Sequence, residues 1–262
     1  MNDAKKPDMA EATETDIHRF VPPALEEAAK ASLPTPIYRI RRMMWSGLAP
    51  LLAFAIGLMP HIDLAVSQAM ERVITPNMHY FWQAVTDIGD GTVYITAAAL
   101  AFLFIPWGKR FAAYRTTRKK LEKIWRYCAL LLAAMAGSAI VLHLVKFAAS
   151  RHRPSDFFRD GVIGFFPFTV TQRLDSFPSG HSQTVFVLVT TLMVAFPRHW
   201  KLFLTVGAFT AVSRVVLLNH FPSDILIGSW LGAFFVVLLA PLILRRGDSA
   251  LYPLPETTPH LK

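Results

Sequence analysis

Three short stretches hold the residues of this chain that could handle a phosphoryl group. They are Lys146 with Arg153-Pro154, then Pro178-Ser179-Gly180-His181, then Ser213-Arg214 followed by His220 and Asp224. Together they offer three fixed cations, a glycine in an anion cradle and two histidines, one with a carboxylate four residues on. Phosphoryl transfer through a histidine nucleophile needs those components. Each stretch also falls at the edge of an apolar block, where helices would meet water.

His220-Phe-Pro-Ser-Asp224 is the most informative piece. Pro222 suits the first position of a helix, which puts Asp224 in the first turn, where the helix dipole favours a carboxylate. From there Asp224 can accept a hydrogen bond from one ring nitrogen of His220, fixing the tautomer and leaving the other lone pair free to attack. A satisfied buried pair without chemistry fits the same residues. His181 has no local partner and could protonate a leaving-group oxygen, then deprotonate the attacking water. Pro-Ser-Gly-His before an apolar run is a helix start: Ser179 caps, Gly180 lets an anion approach the backbone, and the first-turn N–H groups point outward. Arg153 and Arg214 add guanidinium forks.

Lys146 and Arg153 are seven residues apart, about two helical turns, but Pro154 disfavours helix at Arg153. Arg153 therefore projects from the first non-helical turn. Lys146 alone reads as a lysine snorkelling to headgroups; with Arg153 and Arg214 on the same face it reads as a phosphate ligand. Three cations and backbone N–H groups can neutralise the equatorial oxygens, so no metal and no cofactor is required. His143 reads as an interhelical hydrogen bonder.

The elements that must position these groups are apolar helices. Of 262 residues 53% are hydrophobic, with mean hydropathy +0.37, and the apolar residues fall in blocks as long as a bilayer is thick. The expected fold is all-α, a bundle of six spanning helices at about Met43–Pro60, Gly91–Trp107, Trp125–Ala149, His181–Pro197, Trp200–Leu218 and Ile225–Leu244. Residues 1–38 read as a largely disordered tail with a short helix around Ala24 to Ala31, 39–246 as the membrane domain and 247–262 as a C-terminal tail. Acidic residues, prolines and the lack of an early apolar core argue against a secretory signal. Cys128, the one cysteine, excludes an internal disulfide and reads as a small buried hydrophobe.

The net charge of +9 resides mostly in loops flanking the apolar blocks, which argues against nucleic acid as partner. Lys109, Arg110, Arg115, Arg118, Lys119, Lys120 and Lys123 crowd one loop, Arg198 and Lys201 another, and Arg39, Arg41, Arg42, Arg245 and Arg246 flank the ends. The loop from His61 to Asp90 carries only Arg72 against Asp63, Glu71, Asp87 and Asp90. Both termini are thus expected in the cytoplasm, and the chemistry-bearing stretches on the opposite face, the periplasmic side of an inner membrane. Within the first loop Leu64, Val66, Met70, Val73 and Ile74 suit an interfacial helix or an ordinary structured loop, and Phe81 and Trp82 an aromatic belt.

At its chemistry-bearing residues the chain resembles the type 2 phosphatidic acid phosphatase family, which shares its phosphate pocket with vanadium haloperoxidases and glucose-6-phosphatase. The family pattern Lys-x6-Arg-Pro, Pro-Ser-Gly-His and Ser-Arg-x5-His-x3-Asp is matched in full from Lys146 to Asp224. The resemblance implies that Lys146, Arg153, Ser179, Gly180 and Arg214 hold phosphate. It implies His220 as nucleophile, His181 as acid and Asp224 as the partner of His220. It also implies a membrane lipid phosphate or diphosphate as substrate: undecaprenyl diphosphate, phosphatidylglycerol phosphate, phosphatidic acid or lipid A in bacterial relatives. The stretch from Arg159 to Arg173, with Phe157, Phe158, Phe165, Phe166 and Phe168, is expected to form an interfacial lid that selects among them. Two other functions fit the same motifs: a lipid phosphotransferase using the same covalent intermediate, and a lipid-binding membrane protein with a dead site.

Overall fold

Helices account for most of the described residues. A computed structural model describes residues 36–112, 114–169 and 174–251; most of the expected tails, including the helix around Ala24 to Ala31, lies outside the described residues. Helix α1 spans Pro36–Leu58 and runs through a π turn, Met59–Asp63, into α2, Leu64–Val73. Then follow α3 (Pro76–Thr86), α4 (Thr92–Phe111), α5 (Arg115–Ala149), α6 (Pro154–Asp160), α7 (Gly180–Ala195), α8 (Trp200–Val216) and α9 (Pro222–Ile243). Among the described residues there is no strand, only isolated bridges from Arg151 to Phe165 and Asp175.

Among the described residues three segments are long and apolar enough to cross a membrane: Pro76–Phe111, Arg115–Ala149 and Pro222–Ile243, while α7 is a shorter apolar helix. Each of the six expected blocks is helical, with shifted ends. α5 starts at Arg115 rather than Trp125, because its basic first turns consist largely of good helix formers with no glycine or proline. The first loop is more ordered than an ordinary connection. It folds as α2 and α3, where Thr75 accepts a hydrogen bond from the Met78 N–H as N-cap and Pro76 occupies the first turn. On α2 Ser67 is buried and Leu64 and Met70 half-buried, but Val73 faces outward.

The bundle closes where small residues let backbones meet. Gly228 and Gly232, one turn apart on α9, lie against α7; a methyl at either would overlap the carbonyl oxygen of Ser179 or Gln183. Gly137 of α5 leaves room for the Phe235 ring of α9. Leu130, Ala134, Val187, Val236 and Ala240 form the core between these three helices.

The ends of the bundle differ in chemistry. At one, Arg126 of α5 grips Asp248, Ser249 Oγ donates to the Val194 carbonyl of α7, and Ile37 N–H donates to the Leu251 carbonyl. Residues 247–251, expected to begin the C-terminal tail, are thus packed, with Asp248 and Ser249 buried. Lys146 lies twenty residues farther along α5, or about 30 Å at 1.5 Å per residue, roughly the thickness of a hydrocarbon core.

Candidate active site

The far end of α5 stops where its sequence changes. Ser150 adopts φ +42°, its N–H closes the last turn on the Lys146 carbonyl, and its hydroxyl donates to the carbonyls of Phe147 and Thr169. Arg153 is then extended and caps α6 ahead of Pro154, so it leaves the helix as the Arg-Pro pair requires. Its guanidinium binds both oxygens of Asp175 at 2.9 Å. Lys146 Nζ donates to the Asp175 carbonyl oxygen and lies 3.9 Å from its carboxylate. Burial works to raise the Asp175 carboxyl, but Arg153 and Lys146 outweigh it and hold it below the ordinary carboxylate range.

His220 follows a tight exit from α8. Leu218 takes φ +56°, an uncommon conformation for a branched residue, and the N–H groups of Asn219 and His220 both turn back to the Arg214 carbonyl. His220 is 2% exposed. Its Nδ1 lies 2.7 Å from the Ser176 carbonyl oxygen and 3.7 Å from Asp224 Oδ2. This corrects the direct His220–Asp224 hydrogen bond expected from spacing: Nδ1 bonds to the Ser176 carbonyl, the Ser176 hydroxyl donates to Asp224, and Asp224 stays at ion-pair distance from the ring. A carbonyl only accepts, so Nδ1 carries the proton and the Nε2 lone pair is the free one. Burial pushes the imidazole below its ordinary value; Lys146 and Arg214 add to that, and Asp224 works against it. His220 is therefore neutral near pH 7.

Asp224 stands in the first turn of α9, as its spacing from Pro222 requires, and is fully buried. Its Oδ2 accepts from Ser176 Oγ at 2.5 Å and from the Phe221 N–H at 2.8 Å, and its Oδ1 from Arg151 at 2.5 Å. Its carbonyl accepts from the Ser179 N–H, which joins the starts of α7 and α9.

Ser179 caps α7, its hydroxyl accepting from Ser182 N and Ser182 Oγ, and is itself fully buried. Gly180 opens the helix onto space with nothing within 4 Å of where a side chain would begin. His181 is half-buried, packs against Gly89, and lies within electrostatic range of Arg214, His220 and Arg153. Arg214 is 7% exposed. It donates to Thr86 Oγ1 at 3.0 Å, its Nε is buried without a partner, and no carboxylate among the described residues lies within ion-pair distance of it. Such a guanidinium is stable only if something else answers its charge.

The structure thus brings together Lys146, Arg153, Ser179, Gly180, His181, Arg214, His220 and Asp224 at one end of the bundle. It also shows partners that motif spacing did not single out: Asp175, Ser176, Arg151, Asp63 and Ser223. Arg151 had one visible signal, a second arginine in the turn before Arg153; Asp63 had another, a carboxylate within an apolar run. His143 faces outward and is exposed, not set between helices. Phe165, Phe166 and Phe168 of the expected lid are exposed, and Phe165 lies over the Arg151 guanidinium; residues 170–173 are outside the described residues. Among the described residues no group of three or more His, Cys, Asp or Glu could share a metal ion.

Comparison with known proteins gives matches of three kinds. The model of the PAP2 superfamily matches residues 126–248. A lipid A 1-phosphatase of Rhizobium johnstonii is 30% identical over 167 residues, covering 63% of this chain and 68% of that protein. A lipid A 1-phosphatase of Rhizobium etli is 30% identical over the same length, covering 71% of its own. Among solved structures, a transmembrane PAP2-type phosphatidylglycerolphosphate phosphatase from Bacillus subtilis superposes with a TM-score of 0.53 at 21% identity, covering 76% of this chain and 94% of that one. That likeness speaks for the fold.

Proposed function

The chain belongs to the PAP2 superfamily, and from that premise we propose that it is an integral membrane lipid phosphatase working through a phosphohistidine. His220 Nε2 attacks phosphorus while the bond to the lipid oxygen breaks, and His181 gives that oxygen its proton. Water then attacks the phosphohistidine, His181 takes the water's proton, and His220 leaves as neutral imidazole with inorganic phosphate released. Lys146, Arg153, Arg214, the Ser179 hydroxyl and the backbone around Gly180 hold the phosphoryl oxygens, and no metal takes part. Asp224 keeps the imidazole oriented.

The observation that carries this reading is Arg214, a buried guanidinium without a carboxylate, in electrostatic contact with the neutral imidazole of His220. The two curated relatives favour a lipid A type substrate with a 1-phosphate over undecaprenyl diphosphate, phosphatidylglycerol phosphate and phosphatidic acid. The six helices longer than fifteen residues act as spans of one domain over 39–246, with the basic loops and both terminal segments, 1–38 and 247–262, in the cytoplasm. The site then opens on the periplasmic face of the inner membrane, where a lipid headgroup meets water.

A phosphate-release panel over those four lipid classes in detergent tests this, with His220→Ala as control. Release is expected to be fastest from lipid A 1-phosphate, absent in the variant and indifferent to EDTA. Substantial turnover by His220→Ala would remove it as nucleophile, and strong EDTA inhibition would require a metal. A phosphotransferase would instead release phosphate slowly until an acceptor lipid is added.

A further inference from the structure

Behind His220 lies a buried set of charges that the phosphate chemistry above does not use. Arg151, 3% exposed, donates from one terminal nitrogen to Asp224 Oδ1 at 2.5 Å and Ser223 Oγ at 2.8 Å. Its other terminal nitrogen donates to Asp63 Oδ2 at 2.8 Å. Asp63, at the end of the π turn between α1 and α2, is fully buried and also accepts from the Ser223 N–H and hydroxyl. The Phe221 ring covers the guanidinium at 4.1 Å. Arg151 reaches the nucleophile by its backbone as well: its carbonyl accepts from the Ser176 N–H, and the Ser176 carbonyl accepts from His220 Nδ1.

Fully buried ions are retained only at a cost, and replacing them by apolar groups is often neutral or stabilising. This set therefore calls for a reason beyond holding helices together. Its charge gives one. An Arg151–Asp224 pair alone would be neutral, and the guanidinium would absorb the carboxylate meant for His220. With Asp63 the set holds two carboxylates against one guanidinium and keeps one negative charge. The imidazole becomes cationic when Nε2 bonds to phosphorus with Nδ1 still protonated, and that charge balances the set.

Resting on the histidine-nucleophile reading above, we infer that Asp63 and Arg151 are positioning residues of the reaction, a buried relay that fixes Asp224 and Ser176 and supplies the negative charge answering the cationic imidazole. The relay draws the loop between α1 and α2 into the site. His220 is also within electrostatic range of Lys146, Arg214, Asp175 and His181, and none of these is altered in the test.

Asp63→Asn keeps the size and an acceptor for Ser223 but removes the extra charge. It should lower kcat about 10- to 100-fold, the range for a residue orienting a first-contact ligand, with KM within about twofold of wild type. The imidazolium of free His220 loses support, so the acid limb of kcat/KM should move down by about one pH unit. Asp63→Asn with Arg151→Gln restores one net negative charge: the limb should return to its wild-type position while kcat stays low, the relay still being broken. This charge-balanced double variant carries the test if the single one accumulates poorly, and wild-type kcat in it overturns the inference. An unmoved acid limb with normal kcat in Asp63→Asn does the same. His220→Ala separates the two readings: activity there sinks the histidine mechanism itself, whereas an inactive His220→Ala beside normal relay variants sinks only the relay.

Discussion

The two ends of α5 each hold arginines and carboxylates, but in different states of saturation. At the basic end Arg126 places Nε and one terminal nitrogen on the two oxygens of Asp248, at 2.6 and 2.8 Å, and the other terminal nitrogen on Glu122 at 2.8 Å. Arg245 also reaches Glu122, its N–H reaches Asp248, and Tyr127 donates to the Asp248 carbonyl. Each of the three guanidinium nitrogens of Arg126 donates to a carboxylate, and the network ties the chain after α9 to α5. At the site end Lys146 and Arg153 share one carboxylate, Asp175, and Arg214 has none. A saturated cluster holds structure together, whereas one short of anions leaves charge to be answered by a ligand, as the proposed phosphate site requires.

Removing charge at each end should break this contrast in opposite ways. Arg214→Ala should cost about 10²-fold or more in kcat/KM, as for loss of one transition-state donor, with the melting temperature in detergent unchanged or raised. A near-normal rate would mean that phosphate binds elsewhere. Arg126→Ala should do the reverse: a loss of about 1.5–3 kcal/mol in stability, the range for hydrogen bonds to charged groups, with activity per folded molecule intact. Reduced turnover in fully folded Arg126→Ala protein would show that the ends are coupled.

Two smaller effects sharpen the comparison. In the proposed mechanism protonating His220 removes the nucleophile, and its proton affinity is depressed by burial with Lys146 and Arg214. The acid limb of kcat/KM should therefore lie below the ordinary histidine value of about 6.5; a limb at or above it would mean that Asp224 dominates. Asp175→Asn removes the carboxylate that occupies Arg153 and Lys146. Inorganic phosphate should then inhibit more tightly by about fivefold, since a partly exposed ion pair holds roughly 1 kcal/mol. Weaker inhibition would make Asp175 a support of the cations, not a competitor for them.

Residue type and local spacing alone set the helices, the break at Arg153-Pro154, the cap at Ser179 and the first-turn position of Asp224, because each depends on neighbours within about one turn. They also picked out the eight candidate site residues, because each falls in a short motif at the edge of an apolar block. Tertiary structure decided what those residues touch. That His220 Nδ1 meets the Ser176 carbonyl, that Arg151 bridges Asp63 and Asp224, and that Asp175 sits on Arg153 all join segments from 22 to 88 residues apart. Such pairings depend on how α7 and α9 close on each other through Gly228 and Gly232, a packing distance no single helix encodes.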